Sequence, residues 1–308
     1  NCAMPQFLIE WGSIEGSTLI RRHRAFTLVE LLVSIAVVAI LAALLFPVFR
    51  SAKAAAERSS CASRFRNVLQ AHNLYSGDYD DHFVIARYRL DSGANAANDR
   101  KWPQLLKPYL KSATVFQCPS DRGDRPAPQS LFDSDLAPND VDAWFYAAAG
   151  RSNLGYNAIY LAPMDEIAGY GWMSFPITTS SVAEPSGTIQ FVDSVYQVLP
   201  GGGTKGGGRY VVLPPCRFTK KMGAIVDTFG GTATTDTPEE PVGWAPTGTW
   251  NERSFGGAWP WHLGRMTMGL VDGSVRAVDP SDLIQGCRFK PNWQGQIVDT
   301  AEYHWDPF

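Results

Sequence analysis

The chain lacks most of the short patterns that announce a chemistry. Its five cysteines, Cys2, Cys61, Cys118, Cys216 and Cys287, include no C-x-x-C pair, which argues against a zinc ribbon or a thioredoxin-like redox motif. No G-x-S-x-G elbow presents a nucleophile, so His262 and Asp272 with Ser254 or Ser274 do not add up to a hydrolase triad. The stretch from Gly201 to Gly208 lacks the Gly-Lys-Ser/Thr order of a phosphate loop and is expected to be a flexible hairpin loop. Asp78, Asp80, Asp81, Asp121 and Asp124 are oxygen donors of the kind calcium takes, but no twelve-residue EF-hand spacing organises them. Positive charge is not in excess either: the formal net charge is −3, which leaves no electrostatic footprint for nucleic acid. No catalytic residue, metal ligand or cofactor is expected.

What the chain does have is one long apolar run and many aromatic residues. Ten Trp, eleven Tyr and sixteen Phe are enough to build a sizeable core. Residues Phe26 to Phe46 carry a single ionisable side chain, Glu30. At 1.5 Å per helical residue that run spans roughly 30 Å, the thickness of a hydrocarbon layer. It is longer than the apolar region of an ordinary signal peptide. Arg21, Arg22 and Arg24 precede it, and positive charge stays on the cytoplasmic side, so everything after the span is expected outside. The chain opens on Asn1, with Met4 a candidate start, and nothing is read from residues 1–3.

Glu30 is out of place in such a run, because a carboxylate in hydrocarbon costs on the order of 2.5–3.5 kcal/mol at mid-membrane and so needs a partner. The sequence Ala25-Phe26-Thr27-Leu28-Val29-Glu30-Leu31-Leu32 resembles the processing site of type IV prepilins and type II secretion pseudopilins. The resemblance implies that a prepilin peptidase cuts between Ala25 and Phe26, that Phe26 is then methylated, and that Glu30 is the fifth mature residue. In that family this glutamate pairs with the charged amino terminus of a neighbouring subunit. Pro47 falls where many pilins carry a kinking proline. The family usually has Gly where this chain has Ala25, the next smallest residue. An uncleaved signal anchor is the alternative.

Beyond Pro47, strong helix formers from Arg50 to Arg58 lead into Cys61, Phe65, Val68, Leu69 and His72 at helical spacing. This predicts one helix over about residues 26–76, with 26–46 in the membrane, 47–76 exported, and Gly77-Asp78 as the stop. His72 is expected to be an ordinary packed helix residue. The exported head, residues 77–308, reads as short apolar runs between Gly, Pro, Asp and Asn, giving an α+β fold in which the long helix packs on an antiparallel sheet. Expected strands are Gly187–Val192, Arg209–Leu213, Met266–Val271 and Ser274–Val278, with a short helix from Trp102 to Leu110.

Cys61-Ala62-Ser63, Tyr75-Ser76-Gly77-Asp78, Trp102-Pro103-Gln104-Leu105-Leu106, Phe116-Gln117-Cys118-Pro119-Ser120 and Gly155-Tyr156-Asn157 resemble, in order, bacterial pseudopilin-like proteins with an H-X9-DG domain. Here that signature is His262, nine residues, then Asp272-Gly273. The four cysteines after the leader allow three pairings and sequence does not choose among them. Cys61–Cys118 with Cys216–Cys287 is the set carried forward, because it would tie the exported half of the helix to the start of the head. Asp272-Gly273 predicts a type I′ hairpin turn in which Leu270 faces Val275, placing Met268, Leu270, Val275 and Ala277 on one face toward the helix. His262, with no partners at ligand spacing, is expected to be a structural hydrogen-bonding residue.

The resemblance therefore implies a pilin or pseudopilin, a structural subunit rather than an enzyme. Its partners would be prepilin peptidase, other pilin-like subunits and the inner membrane. The alternative is a membrane-anchored exported binding domain that never polymerises, in which Trp172, Trp244, Trp250, Trp259 and Trp261 could stack on sugar rings.

Overall fold

The computed structural model describes residues 27–89, 99–123, 151–168, 171–199, 203–221, 224–227, 240–241, 255–290, 293–306 and 308. The chain divides into two units, residues 1–50 and 51–308. Its architecture is α+β: one long helix, apolar in its first part, followed by sheets whose strands pair antiparallel except for one parallel pair.

The helix runs from Leu28 to Asp78. A capping box starts it. Thr27 Oγ1 accepts from the Glu30 N–H at 3.2 Å, and Glu30 Oε2 accepts from the Thr27 N–H at 2.9 Å, so two N–H groups left over at the helix start are satisfied reciprocally. Pro47 lies inside the helix without ending it. The helix ends at Asp78, at the expected Gly77-Asp78 stop. Asp80 and Asp81 take the left-handed conformation, with φ of 50° and 62°, and Asp81 N–H closes back on Ser76 O at 3.0 Å. A short polar side chain tolerates that geometry, so the two aspartates rather than the glycine take the left-handed positions of the exit.

In the first unit the apolar side chains of the helix, from Leu28 to Phe49, are exposed. A helix apolar on all sides suits a lipid or bundle setting. In the second unit the helix buries a single stripe, Cys61, Phe65, Val68, Leu69, Ala71, His72, Tyr75 and Ser76. It lies on a four-stranded antiparallel sheet of strands in the order Val275–Val278, Met266–Leu270, Ile189–Asp193, Leu154–Tyr156.

The Met266–Leu270 strand is buried on both faces. Its register with Val275–Val278 pairs Gly269 with Val275, and Met268 with Arg276. This is one residue off the expected pairing. The turn has three residues, Val271, Asp272 and Gly273: Leu270 N–H donates to Ser274 O at 2.9 Å, and Gly273 N–H donates to Leu270 O at 3.0 Å. Only Gly273 is left-handed, at φ 86°, so the turn is not type I′. A shift of one residue exchanges the faces of a strand. Gly269 consequently looks at the helix, where a Cβ would lie 3.0 Å from Leu69 Cδ1 and 3.2 Å from Phe65 Cδ1. Met266, Met268 and Leu270 instead join Ile189, Val192, Phe255 and Trp305 in a second core behind the sheet.

That second core is closed by a five-stranded sheet the sequence did not announce. Its path is Ala224–Asp227, Cys216–Lys221, Trp293–Ile297, Glu240–Pro241, with Cys287–Lys290 also pairing with Trp293–Ile297. Cys216 and Cys287 are joined by a disulfide across the intervening strand, 71 residues apart in sequence. Gly295 lies beneath it: a side chain there would meet Cys216 Sγ at 2.9 Å. Closing a loop of that length contributes roughly 4 kcal/mol in the chain-entropy account.

Other local expectations need correction. Trp102–Leu105 is one α-turn followed by a separate 3₁₀ turn, Lys107–Tyr109, because Pro108 has no N–H to continue the helix. The segment expected as a strand at Arg209–Leu213 makes only an isolated bridge, Val211 to Tyr156. Thr204–Lys205 does pair with Gln197–Val198 as a hairpin, but Gly206, Gly207 and Gly208 behind it are buried and held rather than flexible. Gly207 N–H donates to Asp121 Oδ2 at 2.7 Å, and a Cβ on Gly208 would lie 2.3 Å from Ser152 O.

Candidate functional site

Two places bear on function. The first is the start of the long helix. Ala25 and Phe26, the expected processing site, lie outside the described residues, of which Thr27 is the first. Glu30 sits at the third position of the helix, and its carboxylate takes both the Thr27 N–H and, at 2.8 Å, the Thr27 hydroxyl. The glutamate thus has a local task in addition to any between subunits.

The second is a buried cluster between the helix and the central sheet, formed by Cys61, Cys118, Asp193 and His262. Their thiol, carboxylate and imidazole atoms all lie within 4.8 Å of one another. Each comes from a different element. Cys61 belongs to the buried stripe of the helix and Cys118 follows the 3₁₀ turn Ala113–Phe116. Asp193 ends the Ile189–Asp193 strand, and His262 forms a bridge with Arg265 just before Met266–Leu270. All four residues are at most 5% exposed. Cys61 Sγ is 3.5 Å from Asp193 Oδ1, Cys118 Sγ is 3.8 Å from His262 Nε2, and His262 Nε2 is 3.6 Å from Asp193 Oδ2.

The expected Cys61–Cys118 bond is not formed: both are free thiols, turned toward Asp193 and His262. Cys216–Cys287, the other expected pair, is bonded.

The electrostatics of the cluster follow from burying four ionisable groups together. A hydrogen bond from Cys61, aided by His262, brings the Cys118 thiol down to about 5 against the burial that would raise it. The same thiol–thiol contact, then burial and the Asp193 charge, pushes Cys61 well above the ordinary thiol range. Burial raises Asp193 to about 7, and the charge on Cys118 adds to that, while His262 and Thr267 oppose it. Burial alone would lower His262. The Cys118 hydrogen bond with the Asp193 and Cys118 charges outweighs it, so the imidazole is raised. Chemically the cluster is two soft thiols, a borderline imidazole and a hard carboxylate, enclosed by protein.

The sequence motif His262…Asp272-Gly273 is divided in space between two tasks. His262 joins the buried cluster, while Asp272 is exposed in the hairpin turn, its Oδ1 accepting from the Ser274 N–H at 2.8 Å. Of the other triad candidates, Ser254 lies outside the described residues. The acidic residues considered for calcium are likewise separated. Asp78 accepts from Tyr109 OH at 2.6 Å, Asp81 takes Thr179 Oγ1 and Ser180 N–H, and Asp124 lies outside the described residues. Asp121 is buried and accepts from Asn153 Nδ2 at 2.9 Å and from the N–H groups of Gly123 and Gly207. Trp244 and Trp250 also lie outside the described residues. Trp259 and Trp261 are half-buried, with Trp261 Nε1 donating to Ser194 O at 2.8 Å. His72 is fully buried on the helix and accepts the Val84 N–H at Nε2, 3.2 Å away.

Sequence reasoning missed Cys118, Asp193 and Cys61 as partners of His262 because they are distant along the chain: 144 residues separate Cys118 from His262, and 132 separate Cys61 from Asp193. No ligand spacing exists to be found. Asp193, at the end of the buried strand Ile189–Asp193, was a visible anomaly.

Comparison with known proteins bears on the first place. A family model described as the prokaryotic N-terminal methylation motif matches residues 20–46. No curated protein and no solved structure matches the chain. The matched stretch contains the expected cut and Glu30, and runs through the apolar part of the helix. It supports a prepilin-peptidase substrate such as a pilin or pseudopilin. With a helix long and apolar enough to cross a membrane, it supports a membrane-anchored, single-pass protein.

Proposed function

We propose that this chain is a pilin-like structural subunit that assembles rather than catalyses. Prepilin peptidase cuts after Ala25, Phe26 becomes the methylated amino terminus, and the subunit stays in the inner membrane until its helix joins those of other copies in a filament, the head outside. The observation that carries this is the methylation motif continuing directly into a helix whose apolar residues are exposed from Leu28 to Phe49. An exported head also accounts for the Cys216–Cys287 disulfide, since such bonds persist in oxidising compartments. Glu30 gives each subunit one carboxylate at the depth where a neighbour's amino terminus would arrive, and pairing the two charges avoids stranding either in apolar surroundings.

The test separates the two tasks of Glu30. Glu30→Gln keeps a side chain that can complete the capping box but removes the charge. Insertion and head folding should be retained, while crosslinks between helices of neighbouring copies and recovered filaments should fall. Normal crosslinking and filament yield from Glu30→Gln would refute subunit pairing by charge, and a wild-type chain that never crosslinks to its own copies would refute assembly itself.

A further inference from the structure

We infer that Cys61, Cys118, Asp193 and His262 form a closed structural zinc site that fastens the long helix to the head. The inference concerns only the second unit and holds whether or not the chain polymerises.

Geometry supplies the first reason. In a tetrahedral zinc site with bonds of about 2.3 Å to sulfur and about 2.0–2.1 Å to nitrogen or oxygen, ligand atoms sit roughly 3.3–3.8 Å apart. Across the cluster Cys61 Sγ lies 3.5 Å from Asp193 Oδ1, while His262 Nε2 lies 3.6 Å from Asp193 Oδ2 and 3.8 Å from Cys118 Sγ. One ligand atom from each of the four residues lies within 4.8 Å of all the others, so four donors from four separate elements already converge on one point, and a small contraction would bring them to tetrahedral spacing. Two sulfurs, one imidazole and one carboxylate form a set that zinc accepts, and four protein ligands with no open position define a structural rather than a catalytic site.

The groups behind the ligands fit the same assignment. His262 Nδ1 lies 3.2 Å from Ser120 Oγ, and Ser120 Oγ in turn donates to Glu57 Oε2 at 3.1 Å. Once that hydroxyl donates to the carboxylate, its oxygen can only accept from the ring, so a ring proton sits on Nδ1 and Nε2 is the nitrogen turned to the cluster, free to give up any proton to a cation. An imidazole oriented by a hydrogen bond at its other nitrogen is the usual support of a metal ligand. Asp193 is held too, its Oδ2 accepting the Thr267 N–H at 2.5 Å. Hydrogen bonding alone explains the cluster less well. Two thiols side by side in the same chain as a formed disulfide would be expected to oxidise, and a bound cation would keep both sulfurs reduced.

The experiment uses the full chain extracted from membranes in detergent without added chelator. Elemental analysis should give one zinc per chain, and thiol mapping should show Cys61 and Cys118 unbonded beside an intact Cys216–Cys287 bridge. Exchange into cobalt(II) should produce the thiolate-to-cobalt charge-transfer band and the visible bands of a tetrahedral centre. Cys61→Ser with Cys118→Ser should lose the metal. Because that variant could fail by misfolding, two further ones decide the matter. His262→Cys should keep the metal and intensify the charge-transfer band, having gained a third thiolate. Ser120→Ala should keep the fold but release zinc to a competing chelator roughly 10- to 100-fold more readily. A Cys61–Cys118 disulfide in the chain as extracted, before any metal is removed, would overturn the assignment, as would folded chain with two free thiols that takes up neither zinc nor cobalt, or a folded His262→Cys variant with an unchanged cobalt spectrum.

Discussion

Replacing Gly269 by alanine puts a methyl group where the helix meets the sheet, and its effect can be worked out from the contacts. The new Cβ would lie 3.0 Å from Leu69 Cδ1 and 3.2 Å from Phe65 Cδ1. Carbon atoms prefer about 3.5–4.0 Å, so the helix or Leu69 must move by several tenths of an ångström. Overpacking of this kind costs about 1–3 kcal/mol. In a domain of 150–250 residues that corresponds to a melting temperature lower by about 2–4 °C for each kcal/mol. Leu69→Ala alone opens a cavity at a buried site and should cost about 2–5 kcal/mol. In the double variant the methyl group added at position 269 occupies space that Leu69 vacated, so the combined loss should be smaller than the two single losses added together, by about 0.5–3 kcal/mol. Thermal and urea unfolding of wild type, both single variants and the double, all in one detergent, measure this coupling. Met268→Ala with Leu69→Ala is the control. Met268 packs into the core behind the sheet, so those losses should simply add. Additivity within about 0.5 kcal/mol for Gly269 and Leu69, together with coupling between Met268 and Leu69, would mean that the strand faces the other way and that the register is wrong.

Two further outcomes are expected of the head. Gly273 has φ 86° with nothing within 4 Å of where a Cβ would be, so Gly273→Val should cost on the order of 1–2 kcal/mol through backbone strain alone, whereas Gly273→Asn should cost less; equal losses in an unfolding series would contradict that cause. Burial brings His72 down to about 4 from an ordinary value of 6.5. As pH falls the unfolded chain takes up this proton first, so the contribution is complete above about 6.5 and is lost between there and about 4, on the order of 3 kcal/mol. Unfolding free energies across that window should fall more steeply for wild type than for His72→Gln, and parallel curves would exclude His72 as the source.

How much of this was visible in the sequence depended on the range of the interaction. The helix was legible because its signals are local: an uninterrupted apolar run, then Cys61, Phe65, Val68, Leu69 and His72 at turn spacing. The capping box of Thr27 and Glu30 is equally local, yet a lone charge in an apolar run points first to a distant partner and only second to the neighbouring threonine. The hairpin at Asp272-Gly273 was legible as a turn but not in register, since a two-residue and a three-residue loop share the same Asp-Gly signal and differ only in which residue on each side pairs. That one residue decides whether Met268 or Gly269 faces the helix. The five-stranded sheet was not legible. Its short strands alternate poorly, and its order places Trp293–Ile297 beside Cys216–Lys221 in a parallel pair, which no neighbouring residues specify. The buried cluster was the least visible part, because His262 acquires its partners only when the helix and two strands come together.

Intact mass of the chain extracted from membranes tests the central claim most directly. Cleavage after Ala25 and methylation of the new terminus predict, relative to the uncleaved precursor, the loss of everything up to and including Ala25 and the gain of a single methyl group. A mass that retains residues of the leader, or a terminus at Phe26 carrying no methyl group, would contradict it.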